Sequence, residues 1–315
     1  MPLSVYARIL LATFLWGTAF PLIKVGLHHA PPLGFAGLRF LLAGGLLLTA
    51  SAAVRSRLGG GDTPVTRPAD WPRILMIACL STAVFYAMFF LGMARTTAST
   101  GALLDAASPI IGSVMAHFVL HNDRLTRRKI AAIIIAFAGI AIIALGRSGS
   151  GPQDSSLVGC ALILGGLVIS SAGTMLVITY RGRFGLMRLT GTQQAIGGAL
   201  LLIMSALVEG RHHWHNLLSG RFLAVLLWLA FVSATAFRIW YGLVRHYKVT
   251  SISVYWFLTG LWGAFLSVAF LGEPVRLHLA AGFVLVVAGL LLMFGHRSGH
   301  ERDWPRQSGV VAGGQ

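Results

Sequence analysis

Segments of about 20 apolar residues follow one another along almost the whole chain, and this succession limits the possible folds more than any other feature. The connections between the segments are short and rich in Gly, Pro, Ser and Arg. Because about 20 apolar residues in an α-helix cross a bilayer, we predict an all-α polytopic membrane protein with ten transmembrane helices. Their approximate limits are 5–26, 33–54, 73–94, 99–120, 128–146, 156–179, 190–209, 221–243, 250–271 and 277–295.

The distribution of charge predicts the orientation in the membrane. Only 11% of the 315 residues are charged and the net charge is +16, whereas soluble domains carry about 25% charged residues. With a cytoplasmic N-terminus, seventeen of the 25 basic residues lie on the inner side and six on the outer side. This is the positive-inside bias. We therefore predict a multi-pass protein of the cell (inner) membrane with both termini cytoplasmic, and contact with lipid rather than nucleic acid.

The second half of the chain repeats the first when the sequence is shifted by 150 positions. Gly92 then falls on Gly242, and Gly139 falls on Gly289, each within a similar local pattern. Internal repeats of this kind are typical of secondary transporters, because two similar halves can exchange inward-open and outward-open shapes.

Each half contains five crossings, and five is an odd number. The second half must therefore enter the membrane with the opposite orientation to the first. We predict two inverted five-helix repeats, 1–150 and 151–296, followed by a cytoplasmic tail, 297–315, whose polar, Gly-rich composition predicts disorder.

A carboxylate interrupts the fourth apolar segment, in the stretch GALLDAASPIIG (101–112). Asp105 lies six residues, about 9 Å, inside the membrane, and Arg39 lies at the same depth in the second segment. An unpaired carboxylate at such a depth costs about 2.5 kcal/mol or more, so we expect a partner: Arg39, or else Lys24 or Arg95. Three interpretations remain open: a structural ion pair, a site for proton coupling or for a substrate ammonium, and a carboxylate facing an aqueous vestibule.

Small residues share a helical face with Asp105. Small side chains let a ligand or another helix approach closely, and Pro109 removes the amide donor for the carbonyl of Asp105. We therefore expect a free acceptor at the depth of a cavity, or a kinked packing face. The stripe consists of Asp105, Ser108, Pro109, Gly112 and Ala116.

The equivalent face in the second repeat is aromatic. Aromatic faces suit a ring-bearing or cationic substrate, although aromatic residues also serve simple packing in helix bundles. Tyr86, in FYAMFF (85–90), is a further candidate for the cavity wall. The second stripe contains Tyr255, Leu258, Thr259, Trp262 and Leu266.

Four stretches, in order along ten segments, resemble the EamA-type family of the drug/metabolite transporter superfamily. They are LWGTAFPLIKVG (15–26), GLRFLLAGGLLL (37–48), SPIIGSVMAHFVLHNDRLT (108–126) and FLGEPVRLHLAAGFVLVVAGLLLM (270–293). The resemblance implies ten helices in two inverted repeats, a central cavity with Trp16 and Lys24 beside it, and export of small metabolites or amino acids. Where the family usually has Gly-Glu, the first repeat has Asn122-Asp123.

These features favour a secondary transporter over an enzyme, a structural protein or an ATP-driven pump. The acids are scattered and no phosphate-binding loop is present. The alternatives to a metabolite exporter are a proton-coupled multidrug or cation exporter and, less favoured, an integral-membrane enzyme. The expected partners are a small-molecule substrate, the lipid bilayer and, in the coupled alternative, protons. We expect no cofactor and no metal, including at RHHWH (211–215). One chain suffices for transport, and a dimer is compatible.

Overall fold

The computed structural model describes residues 3–58, 68–120, 126–146, 156–179, 186–210, 217–246 and 254–294. Within these ranges every regular element is helical, so the prediction of an all-α polytopic membrane protein is confirmed. Asn122, Asp123, the segment 211–215 and the tail 297–315 lie outside the described residues. Seven helices are long and apolar enough to span a membrane: Leu3–Leu27, Pro32–Ala53, Trp71–Met93, Arg127–Leu145, Leu157–Val177, Met187–Val208 and Gly220–Trp240.

Three further apolar elements complete the ten predicted crossings. Two are shorter helices, and the third, Ala98–Leu120, is broken into two helices near its middle. The helices are α1 (Leu3–Gly17), α2 (Ala19–Leu27), α3 (Pro32–Leu58), α4 (Trp71–Ala78), α5 (Phe85–Met93), α6 (Ala98–Asp105), α7 (Ser108–Leu120), α8 (Arg127–Leu145), α9 (Leu157–Thr179), α10 (Leu186–Val208), α11 (Gly220–His246), α12 (Phe257–Leu271) and α13 (Leu277–Phe294).

Three of the crossings are interrupted. The first is divided between α1 and α2 at Thr18, three residues before Pro21, and the third contains a π-helical segment, Cys79–Val84, between α4 and α5. The fourth breaks at 106–107, just before Pro109. A proline removes one amide donor and clashes with the preceding turn, so the two Pro interruptions have a direct local cause. Short 3-10 turns, Pro68–Asp70 and Val254–Trp256, precede α4 and α12.

The outer surface of the bundle is apolar, as lipid contact requires. Large side chains such as Ile134 and Val284 are more than half exposed, while Phe40 and Phe90 are completely buried. A soluble protein would present a comparable apolar surface only at an interface. The described ranges therefore place bulky side chains both inside the bundle and on its lipid-facing surface.

Helices α8 and α13 pack through small residues in a reciprocal arrangement. A methyl group on Gly139 would lie 2.5 Å from the carbonyl oxygen of Gly282, and one on Gly289 would lie 2.7 Å from the carbonyl oxygen of Ala132. The higher-numbered residue of α8 faces the lower-numbered residue of α13, so the two helices run antiparallel.

Helices α3 and α10 repeat this arrangement. A methyl group on Gly44 would lie 2.7 Å from the carbonyl oxygen of Gly191, and one on Gly198 would lie 2.9 Å from the carbonyl oxygen of Gly37. These contacts also run in opposite chain order, so α3 and α10 are antiparallel. Small residues thus join the first and second halves of the chain at two separate places.

Candidate functional site

Asp105 ends α6 and is buried, with 7% of its surface exposed. Its carboxylate accepts a hydrogen bond from the indole Nε1 of Trp256 at 3.0 Å and one from the hydroxyl of Ser108 at 3.3 Å. Trp256 reaches it because α12 crosses α6 closely: a methyl group on Gly260 would lie 2.7 Å from the carbonyl oxygen of Ala102. The carboxylate therefore lies where the first and second halves of the chain meet.

The backbone carbonyl of Asp105 is not a free acceptor, contrary to the prediction from Pro109. The hydroxyl of Ser108 donates to this carbonyl oxygen at 2.7 Å. The single O–H of Ser108 is thus shared between the backbone carbonyl and the carboxylate of Asp105, at the break between α6 and α7.

Arg39 is also buried, with 4% exposed, but its partner is not Asp105. Its Nε and a terminal guanidinium nitrogen donate to the hydroxyl of Ser233 on α11, at 3.3 and 3.2 Å. The guanidinium carbon also lies 5.0 Å from the centre of the Phe40 ring, a cation–π distance. The expected Arg39–Asp105 ion pair is therefore wrong for this structure. Equal depth does not make two helices neighbours: α3 packs on α10 and α11, whereas α6 packs on α12.

The other two candidate partners are occupied elsewhere. A guanidinium nitrogen of Arg95 donates to the carbonyl oxygen of Leu91 at 2.9 Å. Lys24, on α2, is half-buried and lies within electrostatic reach of Glu273. In the described ranges, Asp105 therefore has neutral hydrogen-bond donors and no cation.

Four aromatic side chains, Trp16, Phe237, Trp240 and Trp256, form what we call the aromatic cluster. The ring of Trp16 lies 4.8 Å from that of Trp256, 5.4 Å from that of Phe237 and 5.8 Å from that of Trp240, while Trp240 and Trp256 are 5.5 Å apart. Since Trp256 also binds Asp105, the cluster connects α1 and α11 with the carboxylate.

Trp16 was predicted from the sequence, whereas the other three members of the aromatic cluster were not. Trp256 directly follows Tyr255, which is the residue 150 positions after Asp105. Phe237 and Trp240 follow Ser233 at intervals of four and seven residues, so all three lie on one face of α11. This helical spacing was the feature of the sequence that could have identified Phe237 and Trp240.

Three other predicted site residues form aromatic contacts outside the aromatic cluster. The rings of Tyr86 and Phe40 are 3.9 Å apart, so Tyr86 packs next to the position of Arg39. Tyr255 instead contacts Tyr6, at 6.0 Å, and Trp262 contacts Phe14, at 5.4 Å.

Thr259 lies on α12 one turn beyond Trp256. Its hydroxyl is buried and has no hydrogen-bond partner among the described residues. The indole nitrogen of Trp262 is also buried and likewise has no hydrogen-bond partner there.

Two glutamates bind the N-termini of helices in the first half, and we call them the glutamate clasps. Glu209, after α10, accepts from the amides of Leu33 at 2.8 Å and Gly34 at 3.1 Å, at the start of α3. Glu273, after α12, accepts from the amides of Ala98 at 2.7 Å and Ser99 at 2.9 Å, at the start of α6. Carboxylates are stabilising at these positions because the first amides of a helix lack intrahelical partners.

The sequence matches known proteins over most of its length. The model of the EamA-like transporter family matches residues 3–145 and 157–295. The chain is 30% identical over 283 residues to the uncharacterized transporter YvbV of Bacillus subtilis, covering 89% of this chain and 88% of that protein. It is 29% identical over 299 residues to a probable amino-acid metabolite efflux pump of Salmonella typhimurium, covering 91% and 94%.

A solved crystal structure has a similar fold, with a TM-score of 0.65 and 19% sequence identity. The similarity covers 92% of this chain and 97% of the other.

Proposed function

The chain belongs to the EamA-like transporter family, and we propose that it is a secondary-active exporter of small metabolites or amino acids that works by alternating access. The observation that carries this proposal is the position of Asp105, a buried carboxylate that has no cation beside it among the described residues. It lies at the junction of two halves joined by reciprocal contacts. Intramembrane carboxylates of this kind mark substrate or ion pathways.

The reciprocal glycine contacts support two inverted repeats, 1–150 and 151–296. Adding 150 to Gly139 gives Gly289, and adding 150 to Ala132 gives Gly282. The contact Gly139–Gly282 therefore has Gly289–Ala132 as its symmetry equivalent, and both occur. Two halves related by this inverted symmetry can rock against each other around a central site.

The glutamate clasps support a conformation closed at one end. Successive crossings alternate in direction, so the starts of α3 and α6 lie at the same end of the bundle. Both clasps join the second half of the chain to the first at this end. With the termini in the cytoplasm, as the distribution of basic residues favours, this is the outer end. Export then requires both clasps to open.

The substrate class and the direction of transport rest on the relatives. The Salmonella typhimurium relative is described as a probable amino-acid metabolite efflux pump. The candidate site combines one acid, one base and aromatic rings, which suits a small amphipathic molecule. A proton-coupled cation exporter is the second candidate, favoured by the absence of a cation at Asp105 within the described structure.

Transport in proteoliposomes tests the proposal. We would reconstitute the wild type, Asp105→Asn and Arg39→Ala and screen a metabolite mixture for flux, with and without a pH gradient. Flux in the wild type that responds to the gradient, and a folded Asp105→Asn that loses the response, would support coupling at Asp105. No flux of any metabolite by folded wild-type protein would contradict a transport function.

A further inference from the structure

The start of α8 carries three adjacent positive charges. Arg127, Arg128 and Lys129 occupy its first turn, and this turn contains no acid. Aligned peptide dipoles make the N-terminal end of a helix partly positive, so negative side chains stabilise it and positive ones do the opposite. A negatively charged group beside these three residues would therefore lower the energy of this helix end.

The start of α4 provides a comparison, because successive crossings alternate in direction and α4 and α8 therefore begin at the same end of the bundle. The first turn of α4 also contains an arginine, Arg73, but that guanidinium lies 4.0 Å from the carboxylate of Asp70. Among the described residues, neither Arg127 nor Arg128 has a carboxylate within ion-pair distance. The two arginines of α8 thus have no counter-ion in the described part of the chain.

Both arginines lie at the edge of the lipid-facing surface. Arg127 is exposed and shares a helical face with Ile134, seven residues further along α8, whose side chain is 63% exposed. Arg128 is also exposed, and its Nε donates to the carbonyl oxygen of Leu292 near the end of α13, at 2.8 Å. This contact holds the guanidinium of Arg128 where α8 and α13 meet, at the end of the bundle and beside lipid.

An apolar surface continues from the arginines along α8. Ala131, Ala138 and Ile142 are exposed, and at 100° per residue all three lie on the face between Arg127 and Arg128. Two of the three are alanine, and small side chains let a neighbouring molecule approach the helix closely. From Arg128 to Ile142 this face is about 20 Å long, which exceeds the roughly 15 Å thickness of one leaflet of the hydrocarbon core.

From this placement of charge and apolar surface we propose that the start of α8 binds an anionic phospholipid. Its phosphate lies between the guanidinium groups of Arg127 and Arg128, and one acyl chain follows the exposed face of α8 into the bilayer. Arginine suits this role because its planar guanidinium donates two parallel hydrogen bonds to a phosphate. This surface is on the outside of the bundle, so the proposal does not depend on the proposed transport function.

The charge of the headgroup decides which lipid binds. A zwitterionic phospholipid fits the apolar face equally well, but its own cationic group lies beside the phosphate and is repelled by the two arginines. Basic residues near a membrane surface each contribute about a 5-fold gain in affinity for anionic lipid. Two arginines therefore favour the anionic lipid by about 10- to 30-fold.

Native mass spectrometry of the purified full chain in detergent tests the proposal with two probes of equal acyl chain length, phosphatidylglycerol and phosphatidylcholine. We expect the wild type to bind one phosphatidylglycerol about 10- to 30-fold more tightly than phosphatidylcholine. Inorganic phosphate at millimolar concentration should not displace the phosphatidylglycerol, because it has no acyl chain to bind the apolar face.

Three variants locate the preference on α8. The double variant Arg127→Gln, Arg128→Gln should bind the two lipids with similar affinity. The double variant Arg127→Lys, Arg128→Lys should keep most of the preference, because it keeps both positive charges. Arg73→Gln is the matched control, since Arg73 lies at the same end of the bundle but pairs with Asp70, and its preference should equal that of the wild type.

Four results would overturn the proposal. Equal affinity of the wild type for the two lipids would show that the headgroup is not recognised, and displacement by inorganic phosphate would assign the site to a free anion. An unchanged preference in the folded double glutamine variant would exclude Arg127 and Arg128. An equal loss in Arg73→Gln would indicate attraction to the overall positive charge of the protein instead of binding to this surface.

Discussion

Gly139 and Gly282 face each other so closely that a methyl group on Gly139 would lie 2.5 Å from the carbonyl oxygen of Gly282. The clash would be with backbone, which cannot move aside as a side chain does. We expect Gly139→Ala to lower the free energy of unfolding by about 1–3 kcal/mol, the usual cost of overpacking. Thermal unfolding in detergent would measure it.

Gly45 provides the control for this prediction. It lies within α3, and a methyl group there would meet nothing within 4 Å. Gly45→Ala should be neutral or slightly stabilising, because alanine favours helix. Equal unfolding temperatures for Gly139→Ala and Gly45→Ala would contradict close packing of α8 on α13.

Ser233 is the hydrogen-bond acceptor for the buried guanidinium of Arg39. We expect Ser233→Ala to destabilise the protein by about 1.5–3 kcal/mol, because a hydrogen bond to a charged group is lost. Ser205 is the matched control: it is also buried, but its hydroxyl has no partner among the described residues. Ser205→Ala should have no measurable cost, and a similar loss in both variants would show that Arg39 does not depend on Ser233.

Trp256→Phe removes the indole N–H from Asp105 while keeping an aromatic ring in the cluster. We expect a loss of about 1.5–3 kcal/mol in the free energy of unfolding, because the acceptor is a carboxylate. Trp228 donates to the neutral hydroxyl of Thr18 at 3.1 Å, so Trp228→Phe should cost about 1 kcal/mol or less. The Trp256 assignment would be rejected if chemical unfolding ranked the two variants in the opposite order.

Glu273→Gln weakens the clasp at the start of α6, because an amide is a poorer acceptor than a carboxylate. We expect Ala98, which is completely buried beside Glu273, to become more accessible. The measurement is the rate at which a maleimide labels an Ala98→Cys reporter, with Cys79 and Cys160 replaced by serine. The rate should rise about 5- to 10-fold, the effect of about 1 kcal/mol on an opening equilibrium.

A slower or unchanged rate in folded Glu273→Gln would contradict a role for this clasp in closing the end of the bundle. Arg73→Gln serves as the control, because Arg73 is at the start of α4 and pairs with Asp70 instead. Its replacement should leave the labelling rate unchanged.

The ten crossings could be predicted from sequence because the length and apolarity of a membrane helix are set locally by the thickness of the bilayer. The break before Pro109 could also be expected, because proline acts on its own helix. The predicted limits 128–146 and 156–179 agree with the helices Arg127–Leu145 and Leu157–Thr179 to within one residue.

The partners of Arg39 and Asp105 could not be predicted, because they depend on which helices lie side by side. The depth of both residues in the membrane could be estimated from sequence. Which helices lie beside them is decided by the packing of small residues between the two halves of the chain. Trp256 was missed for a related reason: it lies in a short 3-10 turn before α12, where helical periodicity does not apply. The sequence therefore allowed prediction of the charge in the membrane and of Ser108 beside it, but not of Trp256.

The break after Asp105 has an electrostatic consequence. Aligned peptide dipoles give the C-terminal end of a helix a partial negative charge of about half a unit. Because α6 ends at Asp105, its carboxylate adds a full negative charge to an end that is already negative. Neither dipole nor carboxylate can relax by moving into water at this depth. Helix α7 begins three residues later, at Ser108, and the partial positive charge of its N-terminus offsets the end of α6. The negative potential at this break therefore comes mainly from the ionised carboxylate, which favours a positive group beside it.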